Sequence, residues 1–215
     1  MRRLADTLLL MLVIGLFAAQ PAVAYEYPLS PTAIRNAYFL GKASPSKREA
    51  FLASYTQHFE RPKSGPYISL IRVVTPYAFV VERTARLMPN FLAPDAQQQF
   101  YGKPIALRIR VHIALTPTYG FQVHSPGGGM ALRSPDFWRD FKVQLIQGGN
   151  AIRPIAARGA PDYALAGGGS ASVLVGADID VQYDPARVLS GPTTIVVDEP
   201  DGRQITATFD LSNLR

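Results

Sequence analysis

Cysteine is absent from the 215 residues, which removes disulfides, thiol nucleophiles, Cys-ligated zinc and iron–sulfur clusters together. Histidine is scarce. His58, His112 and His124 are the three imidazoles, and they stand too far apart for a helix-borne zinc motif. The Walker loop and the dinucleotide Gly-x-Gly-x-x-Gly fingerprint are both missing, so no nucleotide cofactor is expected, nor any other. Lys and Arg never form a run of five, and no RNA-recognition or helix-turn-helix signature occurs; nucleic acid is therefore not an expected partner. After residue 24 no stretch approaches the eighteen uninterrupted apolar residues of a spanning helix.

What is present begins with an export pattern. Arg2 and Arg3 precede an uncharged, largely apolar run over 7–19, Gln20-Pro21 breaks it, and Ala22-Val23-Ala24 supplies the small residues a signal peptidase accepts. The expected product starts at Tyr25, and is periplasmic or secreted, without a stable membrane span. With 47% hydrophobic and 18% charged residues overall, the composition is that of a globular chain. Charge is uneven. Residues 25–158 hold 17 basic and 7 acidic side chains, whereas 159–215 hold 3 and 8. The two parts should pair internally, and the first should keep a basic surface attractive to anionic partners.

Periodicity divides the remaining chain. Ser30 followed by Pro31 starts a helix that Gly41 ends, and a second starts near Ser44-Pro45 or Ser46, carrying Phe51, Leu52, Tyr55 and Phe59. These predict an N-terminal helical hairpin within 25–62. A turn-rich linker leads to a β-sandwich over 66–215, where the rhythm changes to two. Strands are predicted at 67–75, at 77–82 beyond Pro76, and at 141–147, which Gly148-Gly149-Asn150 turns into 151–157. Others are expected at 171–183, with Val173, Val175, Ala177, Ile179, Val181 and Tyr183 on one face, and at 193–198 and 205–211 around a Pro200-Asp201-Gly202 turn. A short helix is expected near Asp95. The clearest strand alternates Ile105, Leu107, Ile109, Val111, Ile113 and Leu115 with Arg108, Arg110 and His112. The fold class predicted is mainly β, an immunoglobulin-like β-sandwich with an N-terminal helical hairpin.

The run Ile34-Arg35-Asn36-Ala37-Tyr38-Phe39-Leu40-Gly41, with Gly65-Pro66-Tyr67-Ile68 and Thr75-Pro76-Tyr77, resembles exported bacterial proteins of unassigned function. Residues 180–211 resemble the last strands of bacterial immunoglobulin-like modules. The resemblance implies a fold and carries no catalytic residues.

Arg108, Arg110 and His112 share the polar face of one strand and form the candidate binding strip, with glycine-rich loops at 127–129 and 167–169 as further contacts. The expected partner is an anionic envelope polymer or another envelope protein, met by a monomeric, non-enzymatic binding or structural module. An alternative is an envelope hydrolase using His124 with a nearby Ser or Asp, although no Gly-x-Ser-x-Gly elbow is present. Asp178, Asp180, Gln182 and Asp184 have the opening spacing of a calcium loop but lack its glycine and final glutamate. Asp184, Asp198 and Asp201 remain as oxygen ligands that could converge on one cation.

Overall fold

The computed structural model describes residues 25–116, 122–124, 130–165 and 172–215, with backbone alone at 122–124 and 130–132. The export segment 1–24 and the glycine runs at 127–129 and 167–169 lie outside the described residues. Two antiparallel sheets and four helices make up most of what is described.

Helix α1 (Pro31–Gly41) starts as its sequence predicts: Ser30 accepts the Ala33 N–H on its hydroxyl at 3.1 Å, and Pro31 occupies the first turn. Its last residue, Gly41, has no positive φ and is required for another reason. A Cβ there would lie 2.6 Å from the Val81 carbonyl oxygen and closer still to the Thr84 hydroxyl. Helix α2 (Pro45–Ala53) ends before Tyr55 and buries no residue. The expected continuation through Phe59 gives way to strand β1 (Thr56–His58), antiparallel to β2 (Pro66–Val74). Tyr55 sits in the sheet core, its backbone oxygen accepting from Val73 N–H at 2.9 Å. Ladder pairing has overridden helical spacing.

The extended run expected at 77–82 is instead helix α3 (Pro76–Ala85). Thr75 caps it by accepting the Ala78 N–H, and Tyr77, Val80, Val81 and Thr84 fall on one buried helical face. Its aromatic and β-branched composition suits a strand, yet the Thr-Pro start and the i, i+3, i+4, i+7 spacing decide for helix. Helix α4 (Ala93–Phe100) follows, with Asp95 accepting the Leu92 N–H at 2.8 Å. The apolar face of α1 packs on α3 and α4 rather than on α2: Ala33, Ile34, Ala37, Tyr38, Tyr77, Val80, Val81, Ala96 and Phe100 form one buried cluster.

The five-stranded sheet has the order β1-β2-β3-β9-β8, with β3 (Leu107–Leu115), β8 (Ala156–Leu165) and β9 (Ser172–Tyr183). The four-stranded sheet has the order β11-β10-β6-β7, with β6 (Lys142–Gln147), β7 (Asn150–Ile152), β10 (Pro192–Asp198) and β11 (Gln204–Asp210). A two-stranded ribbon pairs β4 (Gln122–His124) with β5 (Met130–Leu132). Leu107, Ile109, Val111 and Ile113 are fully buried and share one core with Leu145, Ile195, Val197, Ala207 and Phe209 of the other sheet. Each of the Leu, Ile, Val and Phe side chains contributes about 1.5–3 kcal/mol of apolar burial.

Two β-strand expectations need correction. The hairpin after Gly149 is short, because the chain leaves β7 at Ile152 and enters β8 in the opposite sheet. In β9 the inward face does not run unbroken: the pairing skips Val175, so Leu174 is buried where Val173 and Val175 were expected. Strand β8 contains Gly159 and Pro161, which weaken a strand reading. Gly159 is needed because a Cβ would sit 2.6 Å from ring atoms of Trp138, and Pro161 is tolerated because β8 is an edge.

Candidate functional site

Strand alternation turns Arg108, Arg110 and His112 away from the core that Leu107, Ile109, Val111 and Ile113 fill. Register then sets their neighbours. Arg110 lies opposite Arg72 of β2 on one side and Asp180 of β9 on the other, and Arg158 of β8 follows Asp180. Two arginines directly opposite repel. Glu82 of α3 resolves this, placing Oε1 3.5 Å from Arg72 Nη1 and Oε2 2.5 Å from Arg110 Nη1. Its side chain is only 9% exposed, so the carboxylate is held away from bulk water.

Asp180 joins the next pair, accepting from Arg108 Nη1 at 3.3 Å and Arg110 Nε at 3.4 Å. Arg108 also lies over the Phe79 ring at 4.9 Å, a cation–π contact from α3. At the far end His112 Nδ1 is 2.9 Å from Asp178 Oδ1. The internal pairing expected from the charge split is thus present: acids of the second part meet bases of the first.

Two shallow depressions open on this face and share Arg110. One, of about 330 Å³, is lined by Leu70, Arg72, Arg110, His112 and Asp178. The other, of about 190 Å³, is lined by Phe79, Glu82, Arg83, Arg86, Arg108 and Arg110. Arg83 and Arg86 are exposed at the C-terminal end of α3, where the helix dipole favours cations. Across the face, Arg72, Arg83, Arg86, Arg108 and Arg110 outnumber three carboxylates: Glu82 holds Arg72 and Arg110, Asp180 holds Arg108 and Arg110, and Asp178 pairs with His112. The face can hold an anion with guanidinium groups whose orientation is already set.

All three residues of the predicted strip are brought together here. Arg72, Glu82, Arg83 and Arg86 were missed. The alternation in 67–75 already carried Arg72, but the other three depend on recognising α3 as a helix.

The other candidates fare differently. The carboxylates of Asp184, Asp198 and Asp201 make separate contacts: Asp184 caps its own turn at Ala186 N–H, Asp198 accepts from Gln144 and Gln204, and Asp201 pairs with Arg203. Among the described residues no group of three or more His, Asp or Glu comes together to hold a metal. Hydrogen bonds from Arg203 hold the Asp201 carboxyl below its usual range. Beside it, Glu199 lines a depression of about 530 Å³ at the β10–β11 turn, burial raises its carboxyl pKa, and Arg203 Nη2 lies 3.0 Å away. The Arg203 contacts tie the turn to itself, and a backbone hydrogen bond at Ile68 ties Glu199 to β2. The side chain of His124, at the end of β4, lies outside the described residues.

Scanned against models of known protein families, the sequence matches none, and neither the curated proteins nor the solved structures contain a match. Among the described residues no helix is long and apolar enough to cross a membrane.

Proposed function

We propose that this protein is an exported, non-enzymatic binding or structural module of the cell envelope, built as an immunoglobulin-like sandwich and acting as a monomer. Its contact surface is the outward face of β3, with Arg108, Arg110 and His112, and its partner is an anionic envelope polymer. The observation that carries this reading is the row of guanidiniums held side by side by Glu82 and Asp180. A solvated sheet face would not need a nearly buried carboxylate from a neighbouring helix to keep two opposed arginines in register. Two antiparallel sheets around one core, closed by the β10–β11 hairpin, support the sandwich reading. The export pattern of residues 1–24, and the resemblance to exported bacterial proteins, support the location.

The test is retention on immobilised alginate or polyglutamate at low salt. Arg108→Ala with Arg110→Ala should elute at clearly lower salt, because long-range attraction to a polyanion scales with the charge removed. Retention unchanged in that double variant would reject the surface. N-terminal sequencing of protein recovered from the cell exterior should begin at Tyr25.

A further inference from the structure

We propose that the smaller arginine depression, between α3 and β3, is a specific site for a phosphomonoester dianion. This deepens the reading of the β3 face as an anion-contacting surface and rests on it. Four guanidiniums line the depression from two elements, Arg83 and Arg86 from the end of α3 and Arg108 and Arg110 from β3. Glu82 also lines it, and Asp180, opposite Arg110 on β9, bridges Arg108 and Arg110. Among the described residues neither Arg83 nor Arg86 forms an ion pair with a carboxylate. The cluster therefore carries two more guanidiniums than carboxylates. A phosphomonoester brings about −1.5 to −2 at neutral pH, whereas a phosphodiester brings one charge. Part of the excess is offset by the half-negative C-terminal end of α3.

Size and shape select within the anions. A hollow of about 190 Å³ admits a compact head group and not a length of polymer. Cations converging from a helix end and a strand suit an oxyanion whose acceptors point in several directions, while a planar carboxylate is satisfied by a single guanidinium fork. Arg108 is held by Asp180 and by its contact with Phe79, and Arg110 by Glu82 and Asp180, so this wall needs little ordering when the anion arrives. The adjoining depression of about 330 Å³ shares Arg110 and contains Leu70 and His112, room for the part of the ligand that carries the phosphate.

The source of the phosphate is either a soluble molecule or a lipid head group, and the experiment separates them. Inorganic phosphate is titrated into the purified protein by calorimetry. In parallel, flotation is measured with phosphatidylcholine vesicles containing phosphatidic acid, a monoester, or phosphatidylglycerol, a diester. Arg83→Ala with Arg86→Ala removes two exposed side chains and should weaken phosphate binding by at least about tenfold, as expected for lost charge-assisted hydrogen bonds. The control, Arg61→Ala with Arg153→Ala, removes the same charge elsewhere and should leave binding within about twofold.

Binding of phosphate together with preference for phosphatidic acid over phosphatidylglycerol supports the site with a lipid source; phosphate binding without flotation supports it with a soluble one. Equal loss in the control and the Arg83/Arg86 variant would overturn the site in favour of general attraction. Absence of phosphate binding would overturn it too, while polymer retention through Arg108 and Arg110 would leave the broader contact face standing. If that retention is also absent, both readings fall.

Discussion

The outward faces of the two sheets are built on the same antiparallel ladder and differ in how much unbalanced charge they carry. On the four-stranded sheet the cross-strand rows read Thr208–Thr194–Ile146, Thr206–Val196–Gln144 and, at one end, Gln204–Asp198–Lys142, where one charge of each sign balances the other. On the five-stranded sheet the corresponding kind of row reads Arg72–Arg110–Asp180–Arg158. Threonine and β-branched rows suit a pleated, half-exposed surface without help. The arginine row needs Glu82, and Glu82 is in place only because α3 is docked at the end of that sheet. The charged face is thus a joint product of sheet and helix, whereas the neutral face belongs to its sheet alone.

The largest effect that would sharpen this contrast is alkaline. Burial pushes the phenols of Tyr55 and Tyr183 up to about 12; Tyr183 is contributed by β9 and Tyr55 precedes β1, whereas β6, β7, β10 and β11 contain no tyrosine. The folded state keeps these phenols protonated after the unfolded chain has lost its protons. Stability should therefore be whole below pH 10 and fall as pH rises toward 12, by roughly 2 kcal/mol per phenol. Urea midpoints across that range should show a shallower decline in Tyr183→Phe.

Next comes Glu82→Gln, which leaves Arg72 facing Arg110 without their shared carboxylate. A loss of about 2–3 kcal/mol in urea unfolding is expected, and a value no greater than that of a neutral-face threonine would dissolve the contrast. Gly41→Ala tests the helix side of the same argument. Its Cβ has no room against Val81 and Thr84, so α1 and α3 must separate, at about 2 kcal/mol by thermal unfolding. The smallest change belongs to the other sheet: Thr208→Ala, exposed on edge strand β11, should stay within about 0.5 kcal/mol.

Where one periodicity was uncontested, the sequence alone was readable. Leu107 to Ile113 alternates cleanly, and the structure buries those four positions completely. The Ser30-Pro31 start and the Pro200-Asp201-Gly202 turn were readable because local backbone chemistry fixes both, with Gly202 at φ 86°. Residues 76–85 were misread because valine and tyrosine suit strands on composition, while the deciding facts were a cap and a spacing. Strand β8 was missed because Gly159 and Pro161 look like punctuation until Trp138 and the sheet edge are seen beside them.

The site divides the same way. Arg108, Arg110 and His112 follow from alternation within one strand. Their relation to Arg72 and Asp180 is set by register between distant segments, and Glu82, Arg83 and Arg86 come from a helix that was not anticipated. A sequence discloses which side chains share a strand face more readily than which partners tertiary packing brings to them.

Pro161 carries one more consequence. A proline has no amide hydrogen to offer, so the outer margin of β8 presents an interrupted set of donors to anything that tries to zip onto it. Wherever stray extended chains abound, that single gap works against fibrous stacking of one copy on the next.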